Sequence, residues 1–209
     1  NSVVPLYDGD IAVAPKVAAC RAHYARRGLP TVFKMLSFAR SEPLDAYLAA
    51  EGYHREAETS VQTRALDKIA VPTKGEVRIW DQPDLVWLEA YVRMNGVDGG
   101  DRVWLEEILD HIVPEVGYVL LYAGQDPVAC GLGILEEGQV GLYSLVTDPA
   151  QRNRGYGRQL VTRLCSWGKA RGAHRAYLQV KRENDIARRL YSRLGFAEAY
   201  HYRYRVESI

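Results

Sequence analysis

Three apolar runs set close together constrain the fold most: Tyr118 to Ala123, Val128 to Leu135 and Val140 to Thr147, parted only by Gly124-Gln125-Asp126 and Glu136-Glu137-Gly138. Each run has strand length, and gaps this short with glycine in them are hairpin turns, so the three form an antiparallel meander. The chain then enters a helix over Gly157 to Ala170. Leu160, Val161, Leu164 and Trp167 fall on one side of it, while Arg158, Arg163 and Lys169 fall elsewhere, so one face is buried. A strand over Ala176 to Val180, a helix over Asp185 to Leu194 and a strand over Tyr200 to Val206 follow.

Upstream of the meander, the pattern predicts a strand over Val77 to Trp80 and helices over Leu85 to Met94 and Val103 to His111. The first 66 residues read as helix (Ala14 to Arg27), strand (Thr31 to Met35), helix (Pro43 to Glu51) and strand (Ala57 to Thr63), with Gly28 and Gly52 closing the helices. Asp67 to Gly75 lacks a period and contains Pro72, which sets a boundary near residues 67 to 74 and divides the chain into 1–66 and 75–209. The early segment echoes a later one: Ala25-Arg26-Arg27-Gly28, strand, helix, Gly52-Tyr53 against Ala170-Arg171-Gly172, strand, helix, Gly195-Phe196. This reads as a degenerate half-repeat. A complete copy needs more strands ahead of its first helix, so the native protein is expected to extend upstream of Asn1, by about 100 residues for an ordinary half-domain.

Composition narrows the function classes. With 47% of 209 residues hydrophobic the chain is globular, and a formal net charge of +1 gives no bulk field toward nucleic acid or lipid. Cys20, Cys130 and Cys165 are odd in number and widely spaced, so neither a disulfide framework nor a metal site is read, and a reducing, cytoplasmic setting fits. No apolar stretch approaches the roughly 20 residues that span a bilayer.

Two segments carry chemistry. Arg152-Asn153-Arg154-Gly155-Tyr156-Gly157-Arg158 joins the last strand of the meander to the amphipathic helix. Its glycines let successive N–H groups converge with the unpaired amides of the helix's first turn, which makes an anion site, and three arginines suit several phosphates better than one carboxylate. Taken alone, this is equally a loop with solvated arginines. In the second segment, Asn184 to Phe196, Asn184 suits an N-cap and Ala187, Leu190, Tyr191 and Leu194 share one helix face. Tyr191 is there open to two readings, a hydrogen-bonded core aromatic or a working hydroxyl.

Together, RNRGYG and NDIARRLYSRLGF resemble the GNAT superfamily of N-acetyltransferases over roughly residues 75 to 206, RNRGYG fitting the family's [QR]xxGx[GA] pyrophosphate loop. The resemblance implies an α+β, three-layer α/β/α fold around a mixed, mainly antiparallel sheet, and acetyl transfer from acetyl-CoA to a primary amine by direct attack. It implies that residues Arg152 to Arg158 hold the pyrophosphate and that Leu145, Val146 and Thr147 offer backbone groups to the pantetheine arm and acetyl carbonyl. It further implies that Asn184 contacts the cofactor and that Tyr191 is the general acid. The acceptor is then an amine-bearing small molecule or peptide.

Departures from the family leave the general base open. Ribosomal-protein alanine acetyltransferases have a Glu five residues before the motif Asn, where this chain has Gln179; histone-type enzymes have a strand Glu, which aligns with Gly141. Glu136 and Glu137 in a hairpin turn, or Glu106, Glu107, Asp110 and His111 on the second helix, remain candidates beside a water chain. Tyr143 either lines the acceptor channel or packs as a strand aromatic. The first 66 residues lack the chemistry: Asp8-Gly9-Asp10 replaces a basic loop, and Leu48 takes the place of Tyr191, Tyr47 matching only if the register slips. They are expected to form a degenerate GNAT-like half-domain. A CoA-binding regulatory module without turnover is the alternative to an enzyme.

Overall fold

The computed structural model describes residues 2–208 apart from 8, 40 and 70–74. Asp8, Pro72 and most of the boundary expected at 67–74 therefore lie outside the described residues. The elements in order are α1 (Val13–Ala25), β1 (Val32–Leu36), α2 (Glu42–Ala50), β2 (His54–Ala65), β3 (Glu76–Trp80), α3 (Leu85–Asn95), α4 (Gly99–Asp110), β4 (Glu115–Ala123), β5 (Asp126–Glu136), β6 (Gln139–Thr147), α5 (Tyr156–Ala170), β7 (Arg175–Lys181), α6 (Asp185–Arg193) and β8 (Ala197–Val206). Each segment expected from pattern is present with its expected type. Polar strand ends escaped the pattern: β2 begins at His54 and β8 at Ala197, because their first residues are exposed and carry no apolar alternation.

Packing divides the chain into two units: Asn1–Gln62 with Val180–Arg188 and Glu198–Ile209, and Thr63–Gln179 with Arg189–Ala197. In the first unit the strand order is β1-β8-β2, β8 lying antiparallel to β1 from Val32 opposite Val206 to Leu36 opposite Tyr202. Its core gathers Val17 of α1, Phe33 and Met35 of β1, Leu48 of α2 and Tyr53. Asp45 fastens α2 to β8, accepting from Arg205 Nε at 2.9 Å, Arg203 Nη2 at 3.0 Å and Arg55 Nη2 at 3.3 Å. Arg205 also donates to the Tyr53 carbonyl at 3.0 Å, so this buried guanidinium is well satisfied.

In the second unit the order is β7-β6-β5-β4-β3, antiparallel from β3 to β6 and parallel between β6 and β7. The β5–β6 turn shortens to two residues, Glu137 at φ 48° and Gly138 at φ 71°, since a right-twisting hairpin favours two left-handed residues. Helices α3 and α4 cover one face, Trp87, Leu88, Met94 and Leu109 packing on Tyr118, Leu120, Tyr122, Cys130 and Leu132. Trp87 Nε1 donates to the carbonyl of Val119 at 3.1 Å, which satisfies the buried indole. Helix α5 covers the other face. A Cβ on Gly117 would come within 2.4 Å of the Trp167 ring, so that strand position must be glycine for α5 to seat. The result is an α+β fold of three layers around a mixed, mainly antiparallel sheet.

The echo in the sequence has a structural counterpart in spacing. α1, β1, α2 and β2 begin at Val13, Val32, Glu42 and His54, and α5, β7, α6 and β8 begin 143 residues later at Tyr156, Arg175, Asp185 and Ala197. Leu48 is thus the counterpart of Tyr191, and it is sealed in the core of the first unit.

Candidate active site

The ladder between β6 and β7 runs from Gln139 opposite Arg175 to Leu142 opposite Leu178 and stops, while β6 continues to Thr147. On the other side of β6, Cys130 faces Val146 and Leu132 faces Tyr143, so Ser144 and Leu145 share the place opposite Gly131. Ser144 has φ 51°, the left-handed conformation of a β-bulge, which bends the strand and re-aims its amides. Leu145, Val146 and Thr147 therefore lie half-buried on an edge left without a ladder partner on the β7 side among the described residues.

From Thr147 the chain passes through Asp148, whose carboxylate accepts from the Ala150 amide at 2.9 Å and pairs with Arg93 of α3. Arg93 holds this carboxyl below the usual carboxylate range, and the same guanidinium donates to the Pro127 carbonyl at 2.9 Å, fixing where the loop departs. Asn153 at φ 63° and Gly155 at φ 84° then turn the backbone into α5. Gly155 is the N-cap and offers no side-chain acceptor, so the first-turn amides of Tyr156, Gly157 and Arg158 are left for water or a ligand. Arg152, Arg154 and Arg158 are exposed beside them. Gly157 is closed in: a Cβ there would stand 3.2 Å from Leu190 and 3.7 Å from the Thr147 hydroxyl.

Asn184 does cap α6, its Oδ1 accepting from the Ala187 amide at 3.1 Å. Tyr191 is 8% exposed, its ring set edge-on to Phe196 at 6.0 Å, and burial pushes its phenol up, so it is protonated at neutral pH. Its hydroxyl makes no hydrogen bond among the described residues.

Sequence reasoning missed one feature. Arg64, Lys68, Arg158 and Arg193, with Ile69, Gln159, Thr162 and Leu194, line a recess of about 430 Å³ next to α5, with no carboxylate among the described lining residues. Arg64 donates to the Leu194 carbonyl and spans the Phe196 ring at 5.8 Å. Arg64 and Lys68 stand more than eighty residues before the loop, and only the fold brings them to it; Arg158 and Arg193, one in each motif, were the visible part.

The base candidates separate. Glu106 is held by Arg102 at 2.8 Å, and His111 Nδ1 lies 2.7 Å from the Glu107 carbonyl within its own helix end. Glu136 is the last residue of β5 rather than part of the turn. At Gly141 there is no room for the Glu of histone-type enzymes, because a Cβ would stand 2.6 Å from the rings of both Tyr143 and Tyr177.

Known proteins agree with this architecture. A family profile described as "Probable histone acetyltransferase Rv0428c C-terminal" matches residues 1–205. The chain belongs to this family, within the GNAT N-acetyltransferases. It is 29% identical over 188 residues to an uncharacterized N-acetyltransferase, YobR, of Bacillus subtilis, covering 88% of this chain and 76% of that protein. Among solved structures it is similar in fold to a GCN5-related N-acetyltransferase from Kribbella flavida, with TM-score 0.66 and 18% identity over 92% of this chain and 74% of that one. A tandem GNAT protein from the clavulanic acid biosynthesis pathway gives TM-score 0.70 at 12% identity over 90% of this chain and 67% of that one.

Proposed function

We propose that the chain transfers an acetyl group from acetyl-CoA to a primary amine by direct attack on the thioester. The observation that carries this reading is the meeting, in one unit and among the described residues, of a strand edge without a ladder partner, a helix N-terminus without a side-chain cap and a recess lined by Arg64, Lys68, Arg158 and Arg193 without a carboxylate. Amides and arginines from Arg152 to Arg158 suit the pyrophosphate, and the recess of Arg64, Lys68, Arg158 and Arg193 suits the further ribose phosphate that coenzyme A carries. The free edge at Leu145, Val146 and Thr147 suits the amide-bearing pantetheine arm, and an amide there can stabilise the oxyanion of the tetrahedral intermediate. Asn184 contributes at the start of α6. Tyr191, kept protonated by burial, gives its proton to the departing thiolate.

The acceptor class is an amine-bearing small molecule or peptide; the matched family's description makes a lysine-bearing peptide one natural candidate. A net charge of +1 gives no reason to add nucleic acid. Three free thiols suit a cytoplasmic setting, and no helix among the described residues is long and apolar enough to cross a membrane. The alternative of a CoA-binding module without turnover draws on one observation, that Gly141 and Gln179 supply no carboxylate where relatives have one. Single-turnover release of CoA across an amine panel tests the proposal: release that requires an amine supports the enzyme, and binding without release supports the module.

A further inference from the structure

At the point where the β6–β7 ladder ends, the hydroxyls of Tyr143 and Tyr177 lie 2.7 Å apart, with ring centroids 6.1 Å apart and planes at 89°. Both rings occupy the space left by Gly141, so the missing side chain of the base position is what admits the pair. Both residues are half-buried, and Tyr143 packs on the α3/α4 side of the sheet. Glu136 shares that face, since Leu132 faces Tyr143, Ile134 faces Gly141 and Glu136 ends the same alternation.

Resting on the acetyl-transfer reading, we propose that Tyr177, Tyr143 and Glu136 form the proton exit for the attacking amine, in that order. The acceptor ammonium gives its proton to the Tyr177 oxygen as the Tyr177 hydroxyl proton passes to Tyr143 and the Tyr143 proton passes to Glu136, directly or through one water. Both phenols end neutral, the amine lone pair is freed for attack, and the exposed Glu136 carboxyl returns the proton to solvent. Tyr177 is then the group that touches substrate; Tyr143 and Glu136 act through it.

The electrostatics agree with a relay rather than a stored base. Burial first, then the Tyr177 hydrogen bond and the negative charge of Glu136, push the Tyr143 phenol well above its ordinary value, so a standing tyrosinate is disfavoured. The other titratable side chains of the cluster it packs on are Tyr91, Tyr118, Tyr122 and Cys130, and burial pushes Tyr118 and Cys130 up to about 12. Glu136 is the charged group whose field Tyr143 feels.

The test is the pH dependence of kcat/KM for Tyr143→Phe, Tyr177→Phe and Glu136→Gln against the unaltered chain, with acetyl-CoA and a panel of a lysine-bearing peptide, a peptide with a free N-terminus and a diamine. With the relay intact the ammonium form is the substrate, and kcat/KM should stay nearly flat between about pH 6 and 9, well below an alkylamine pKa of about 10. Without it only free amine reacts. The variants should then lose on the order of 1000-fold at pH 7 with a lysine side chain or diamine and about tenfold with a peptide N-terminus of pKa about 8, fall about tenfold per pH unit on the acid side, and recover toward the unaltered chain as pH approaches the acceptor's pKa. Variants indistinguishable from the unaltered chain, or a loss that is constant across pH, would overturn the relay while leaving acetyl transfer intact. If the unaltered chain binds CoA but acetylates no amine, the acetyl-transfer reading fails and the relay with it.

Discussion

Tyr191 carries the account at the scale of single residues. Its ring is packed on Phe196 and its hydroxyl has no hydrogen bond to lose among the described residues, so replacing the hydroxyl with hydrogen should touch chemistry and spare packing. Tyr191→Phe should keep the melting temperature and CoA affinity while lowering turnover by about 10² to 10⁴; full activity with a lowered melting temperature would return Tyr191 to the core. Gly155 and Gly157 make a second case. Gly155 needs a left-handed backbone that β-branched residues resist, and Gly157 has Leu190 at the distance of a forced contact. The double change to Val should weaken CoA binding strongly by calorimetry, and unchanged affinity would remove the loop from the site. Both residues were legible in the sequence because each sits at a motif position with a backbone reason. Arg64 and Lys68 were not, since no local pattern links them to α5.

At the scale of elements, what sequence could show was whatever has a period. The meander, α5 and α6 followed from apolar spacing, and the caps at Gly28, Gly52 and Asn184 followed from turn chemistry. The end of the β6–β7 ladder and the bulge at Ser144 were invisible, because they depend on which strands become neighbours, and Ser has no intrinsic call for φ > 0. The fastening of α2 to β8 is likewise a long-range product. Arg205 and Arg203 hold the Asp45 carboxyl at about 2 against an ordinary 3.8. As pH falls the unfolded chain takes up this proton first, so the stabilisation is whole above about pH 4 and is lost toward pH 2, on the order of 2 kcal/mol. Asp45→Ala strands the buried Arg205 and should cost about 3 kcal/mol or more at pH 7, with a flatter acid limb in urea melts at successive pH values. A variant as stable as the unaltered chain would show that the cluster does not secure α2.

At the scale of the whole molecule, the elements α5, β7, α6 and β8 have an echo in α1, β1, α2 and β2. With the offset of 143 fixed by four element starts, Gly155, Gly157 and Arg158 correspond to Ala12, Ala14 and Pro15, and Tyr191 corresponds to Leu48. Residues 1–66 are therefore proposed to be a degenerate GNAT-like half-domain that binds no acetyl-CoA of its own. Titration should give one CoA per chain, and two would restore a second site. The central claim is that the site beside α5 transfers an acetyl group to an amine, and mass spectrometry of amines incubated with the purified chain and acetyl-CoA tests it most directly. An acetylated amine should accumulate in step with free CoA thiol. Tight CoA binding with no acetylated amine from any acceptor would contradict it and leave a binding module.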